Sequence, residues 1–154
     1  MQLLADAANH AVGDLSASIE KNMGMSFTGI DLVSGDFLFA NAGHCDILHG
    51  STESVKSILE PGSTLGMNKE LKLGMVKSVL DPGDVLVFYT DGLLENKGSE
   101  GRSLKWNQLK SFVSHSLSPS EIQQGILKSC AEKWKGKPIK DDITLLILKW
   151  KGKQ

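Results

Sequence analysis

A chain of 154 residues, 40% hydrophobic and 23% charged, is long enough to bury the core of one domain and too apolar for disorder. Its net charge of −1 argues neither for a nucleic-acid partner nor for an anionic membrane surface. Of the 17 basic residues only Arg102 is an arginine, and lysines crowd the stretch from Lys128 to Lys153. That stretch reads either as a solvated face or as a surface for an acidic or phosphorylated partner.

Cys45 and Cys130 are the two cysteines, and no export signal precedes them, so both are expected as reduced thiols in a cytoplasmic protein. The longest unbroken apolar run, Val85 to Tyr89, is far too short for a membrane span. One domain over 1–154 is expected, with no repeat and no linker.

Leu4, Ala8, Ala11, Val12, Leu15 and Ile19 recur at helical spacing, predicting a helix that ends near Asn22-Met23-Gly24, with Gly24 as its cap. Two β-rich runs, 26–32 and 36–40, flank Ser34-Gly35 and predict a hairpin. Apolar side chains on both of its faces place that hairpin between two layers. Short strands are expected at 46–49, 55–59 and 71–80, with loops at Pro61-Gly62 and Leu65–Asn68. Asp81–Asp84 is a turn that launches a strand over 85–89. Helices are expected at 103–117 and 119–134, the second with Ser118 as N-cap and Pro119 at its first position. A last strand covers 143–150. This order predicts an α+β layered fold.

Several chemistries have no support. There is no phosphate-cradling glycine loop of the usual nucleotide-binding kinds and no nucleophile elbow. Neither cysteine is followed by the arginine that a thiol phosphatase forks onto its substrate. His10, His44, His49 and His115 lack zinc-site spacing. What remains are carboxylates at strand ends. Asp91-Gly92 follows the 85–89 strand, and Asp141-Asp142 precedes the 143–150 strand. If those strands are antiparallel neighbours, Asp91 and Asp141 converge, and paired carboxylates suit hard cations such as Mg²⁺ and Mn²⁺. The pattern alone equally allows an ordinary turn at Asp91 and a capped loop at Asp141.

Four segments carry a resemblance. They are Phe39-Ala40-Asn41-Ala42-Gly43-His44, Gly62-Ser63-Thr64-Leu65-Gly66, the run from Gly83 to Glu95 containing Thr90-Asp91-Gly92, and Asp141-Asp142-Ile143-Thr144-Leu145-Leu146. In this order the chain resembles the bacterial SpoIIE-like branch of the PPM superfamily of metal-dependent protein serine/threonine phosphatases, over residues 26–150 or so. The resemblance implies a two-layer antiparallel β-sandwich flanked by helices. It implies two divalent cations, Mn²⁺ or Mg²⁺, that activate a water to attack phosphorus without a phospho-enzyme. It makes Asp91 and Asp141 metal ligands, with Asp142, Gly92, His44 and Asn41 as lesser candidates. The implied substrate is a phosphoserine or phosphothreonine on a bacterial regulatory protein of the anti-sigma-factor-antagonist type.

The resemblance also has a gap. The family's first metal motif, an Asp followed by a Gly-His-Gly-like turn, has no counterpart here, because Asp6 and Asp14 fall inside the first helix. The chain is therefore expected to be the C-terminal portion of such a domain, inactive alone, or a degenerate module that binds protein. Missing strands would leave an exposed sheet edge, and a homodimer through that edge or the first helix is expected.

Overall fold

Asp31 explains how the first hairpin closes. Its carboxylate accepts hydrogen bonds from the backbone N–H groups of Val33 and Ser34 (2.8 and 2.9 Å), and Gly35 takes the positive φ of +79° that completes the turn. Those amide bonds hold the Asp31 carboxyl below the ordinary carboxylate range. The flanking strands are β1 (Met25–Ile30) and β2 (Asp36–Ala42), paired antiparallel from Met25↔Ala42 to Ile30↔Phe37.

The computed structural model describes residues 1–19, 23–98, 101–135 and 137–153, with the backbone alone for 15–19. Further along the chain come β3 (Ile47–Gly50), β4 (Val55–Ile58), β5 (Gly74–Val79), β6 (Val85–Tyr89) and β7 (Leu145–Lys149). The helices are α1 (Gln2–Ile19), α2 (Gly92–Glu95), α3 (Trp106–Phe112) and α4 (Pro119–Trp134). Two antiparallel sheets result, with strand orders β1-β2-β5 and β4-β3-β6-β7, so the α+β class read from the sequence is the class observed.

The chain divides into two compact units, each built from two stretches: Met1–Cys45 with Leu59–Leu80, and Asp46–Ile58 with Asp81–Gly152. In the first unit β2 is the central strand, and Phe37, Phe39, Ala40, Asn41 and Ala42 along it are all buried. Its neighbour β1 is an edge strand and only half-buried, so the expectation of burial on both faces holds for β2 alone.

The face that α1 buries differs from the expected stripe. Ala5 and Asn9 are buried while Leu3, Leu4 and Ala11 are exposed. Asn9 decides this. Its Nδ2 donates to the Asn68 carbonyl (3.0 Å) and its Oδ1 accepts from Gly66 N–H (2.9 Å), which rotates the helix onto its small residues. The side chains of Leu15 and Ile19, and the expected end at Asn22, lie outside the described residues. Gly24 is no cap. It precedes β1, and a Cβ there would meet the Gly43 carbonyl oxygen at 2.6 Å.

In the second unit β6 is central and nearly all buried. Helix α4 begins as expected: Ser118 Oγ accepts from Glu121 N–H, and Glu121 Oε2 accepts from Ser118 N–H (2.7 Å), a reciprocal cap. The Ser118 hydroxyl, which donates to Oε2 at 2.6 Å, and then the Ser118 N–H hold the Glu121 carboxyl below its ordinary range. Helix α3 is shorter than the expected 103–117. Ser114 and Ser116 bond each other (2.9 Å), and Ser114 Oγ takes the Ser116 N–H, which competes with continued helix.

Along α4, Ile122, Ile126 and Cys130 form one fully buried stripe at four-residue spacing. Burial pushes the Cys130 thiol up from 9.0 to about 11, with nearby Lys133 opposing the shift. The neutral thiol is thus the form that folding favours. Its contribution to stability is complete below pH 9 and is lost as pH rises from 9 to 11. In native protein at pH 8, only on the order of a thousandth of Cys130 is thiolate. Mass spectrometry after iodoacetamide treatment should find half-buried Cys45 alkylated well before Cys130. Equal labelling would mean that the α4 stripe opens to solvent.

Candidate functional site

Strand β6 is Val-Leu-Val-Phe-Tyr, a run that favours a buried strand, and it pairs antiparallel with β7 from Val85↔Lys149 to Tyr89↔Leu145. The end of β6 therefore lies beside the start of β7. Thr90 continues the ladder by donating its N–H to the Thr144 carbonyl (3.1 Å). The Thr90 hydroxyl adds two bonds, accepting from Thr144 N–H (2.9 Å) and donating to the Asp142 carbonyl (3.2 Å).

Asp91 then caps α2, its Oδ1 accepting from Gly92 N–H at 3.0 Å. Gly92 is buried with no room for a side chain. A Cβ there would strike the Asp142 carbonyl oxygen and sit 3.1 Å from that of Asp141. Asp141 forms the matching local bond, with its Oδ1 accepting from Asp142 N–H at 3.0 Å. Asp91, Asp141 and Asp142 are all exposed.

Asn96, 4% exposed, joins the two segments. Its Nδ2 donates to the carbonyls of Gly92 (2.7 Å) and Asp141 (2.9 Å). Its Oδ1 accepts from the N–H groups of Lys140 (2.8 Å) and Asp141 (3.3 Å). The Asn96 carbonyl in turn accepts from Trp134 Nε1 on α4 (3.1 Å). The sequence reading passed over Asn96. Its only local signal is an Asn directly after a short helix, where it serves as C-cap.

Thr90–Gly92 and Asp141–Asp142 are thus brought together within one unit. Asn41 and His44 belong to the other unit and serve its own turn. Asn41 is buried, donating from Nδ2 to the Glu60 carbonyl (3.2 Å) and accepting His44 N–H on Oδ1 (2.8 Å). His44 Nδ1 lies 3.3 Å from the Cys45 carbonyl oxygen and 3.4 Å from Cys45 Sγ. Gly43 between them has φ +72° and packs on Thr64, whose Cα would lie 2.8 Å from an added Cβ.

A second carboxylate cluster in the β4-β3-β6-β7 unit went unnoticed in the sequence. Asp46 accepts from Tyr89 Oη, Ser57 Oγ and Trp106 Nε1, tying β6, β4 and α3 together. His49 Nε2 meets buried Asp84 Oδ2 at 2.7 Å beneath the turn that launches β6. The Asp46 bonds and the His49–Asp84 pair brace the sheet.

Among the described residues no group of three or more His, Cys, Asp or Glu side chains is placed to hold a metal. The donor set of Asp91 and Asp141 still suits a hard divalent cation. All its atoms are oxygens, and each carboxylate keeps its Oδ2 outside the local bond to the next residue. Among the described residues no helix is long and apolar enough to cross a membrane.

The fold is shared with solved phosphatase domains. The SiaA-PP2C domain of Pseudomonas aeruginosa superposes with a TM-score of 0.77 at 19% identity, over 92% of this chain and 57% of that one. The phosphatase domain of the cell fate determinant SpoIIE from Bacillus subtilis, presoaked with Mn, gives 0.60 at 19%, over 82% and 56%. RsbX in complex with magnesium gives 0.69 at 16%, over 94% and 61%. This chain spans a little over half the length of the first two. Residues 2–151 match the family of Stage II sporulation protein E (SpoIIE), and the chain belongs to that family.

Proposed function

We propose that this chain is part of a metal-dependent phosphatase domain that removes phosphate from serine or threonine on a regulatory protein, in bacteria one of the anti-sigma-factor-antagonist type. The observation that carries the reading is the β6–β7 corner, where Asp91 and Asp141 are held on segments locked to each other by Thr90 and Asn96. Family membership and relatives described with manganese or magnesium support it.

In this reading Asp91 and Asp141 hold a divalent cation, Mn²⁺ or Mg²⁺. When bound, such an ion neutralises charge on a phosphoryl group and acidifies water. The chain's own part is to fix the two carboxylates, which Thr90 and Asn96 do through the backbone on both sides. Gly92 lets the two segments approach. Covalent catalysis by Cys130 is excluded by its burial and its raised pKa.

Two carboxylates hold one cation weakly and do not build a two-metal clamp, so the chain alone should release little phosphate. The test is hydrolysis of p-nitrophenyl phosphate and of a phosphoserine peptide in Mn²⁺, with Asp141→Asn beside the unaltered chain. The expected result is turnover near background in both. Robust turnover lost in Asp141→Asn would mean that a further acid, such as Asp6 or Asp14, completes the site. Turnover untouched by Asp91→Asn and Asp141→Asn would remove the reading.

A further inference from the structure

An amide side chain can donate two hydrogen bonds and accept two, and Asn96 makes all four within the chain. Two of its partners are on Asp141 itself, one is on Lys140 and one is the Gly92 carbonyl in the turn that follows Asp91. Those partners lie up to 45 residues away in sequence, and the whole arrangement is sealed from water at 4% exposure. A buried amide satisfied on every atom holds its neighbours in one arrangement, because moving either segment leaves a polar group without a partner.

We infer that Asn96 is the positioning residue of the proposed cation site, setting the separation between the Asp91 and Asp141 carboxylates. The inference rests on the reading of Asp91 and Asp141 as ligands. Asn96 touches neither carboxylate. It acts on Asp141 through that residue's own N–H and carbonyl, and on Asp91 through the first residue of α2. Thr90 clamps the Asp142 side of the same segment, so the loop is held at both ends and Asn96 governs the end that carries Asp141. Supporting groups of this sort typically change cation affinity by about 10–100-fold when removed.

The probe is MnCl₂, added to the full chain and read by paramagnetic broadening of the amide resonances of Gly92, Asp141 and Asp142, which detects weak binding without turnover. Asn96→Leu keeps the branched shape and the number of side-chain heavy atoms and removes all four bonds. It should lower Mn²⁺ affinity by about tenfold or more, and amide exchange at Lys140 and Asp141 should accelerate. Ile126→Val, which loosens the buried α4 stripe of the same unit, controls for stability. It should leave Mn²⁺ affinity within about twofold, set against the tenfold effect expected of a positioning residue.

If Asn96→Leu fails to fold, Asn96→Ser, which retains one donor and one acceptor, takes its place with the same expected direction. Unchanged broadening in the Asn96 variant while Asp91→Asn loses it would overturn the inference and leave the site standing. Equal losses in the Asn96 variant and Ile126→Val would also overturn it, since Asn96 would then act only through stability. Broadening indifferent to both Asp91→Asn and Asp141→Asn would remove the site itself.

Discussion

Asp91→Asn should lower Mn²⁺ affinity by at least tenfold, and Asp141→Asn should do the same. The substitution is close to isosteric. An Asn at 91 still offers an oxygen to the Gly92 N–H, so α2 keeps its cap and the fold should keep its stability. What disappears is the negative charge and the second carboxylate oxygen, the two properties that a hard cation selects. Tenfold corresponds to about 1.4 kcal/mol of binding free energy.

Titration calorimetry on the unaltered chain and both variants measures this directly. Weak binding of a single ion is expected before substitution, because the proposed site offers only the carboxylates of Asp91 and Asp141. Tight binding of two ions would show that more ligands are present than Asp91 and Asp141. Binding that ignores either substitution would detach that residue from the cation.

Gly92→Ala should be the most damaging single-methyl change at this corner. The new Cβ would collide with the Asp142 carbonyl oxygen and lie 3.1 Å from that of Asp141. Both obstacles are backbone atoms. The Asp142 carbonyl is tied to the Thr90 hydroxyl and the Asp141 carbonyl to Asn96 Nδ2, so neither segment yields without breaking a bond. Overpacking of this kind costs about 1–3 kcal/mol. For a domain of this size each kcal/mol lowers Tm by about 2–4 °C.

Calorimetric melting with and without Mn²⁺ separates two consequences. The apo protein should melt several degrees lower, and stabilisation by Mn²⁺ should shrink, because the Asp141 segment has been pushed from its place. Gly13→Ala is the comparison. It lies inside α1 with nothing within 4 Å of its Cβ position, and exchanging Gly for Ala in a helix there should raise stability by about 0.5–1 kcal/mol. A Gly92→Ala protein as stable as the unaltered chain would mean that the two segments are not closely opposed.

The elements legible in the sequence were those whose signals are local. Ser118 and Pro119 start α4 where expected, because a cap and a preset φ act within one turn. The Val85–Tyr89 run is β6 to the residue, since a short β-branched and aromatic run between turns has few alternatives. Gly35 sits at a positive φ in the first hairpin, as the Ser-Gly pair suggested. The pairing of β6 with β7 stood in the sequence only as a condition, and the antiparallel ladder from Val85↔Lys149 to Tyr89↔Leu145 meets it.

Other features depended on partners far away along the chain. Strand β5 begins at Gly74 rather than at residue 71, because Ser63 N–H bonds the Lys72 carbonyl and holds the preceding residues in a loop. Helix α1 turns Asn9 inward and Leu4 outward, against its hydrophobic pattern. An Asn whose amide meets the backbone at Gly66 and Asn68 is better buried than a Leu with no matching surface. Asn96 illustrates the same point at the site. By itself the sequence determined that Asp91 and Asp141 stand at the ends of two strands, because strand propensity and turn residues are local properties. Tertiary structure alone decided that Asn96 binds those ends to each other, since a buried amide takes whatever partners the packed chain brings within 3 Å or so of it.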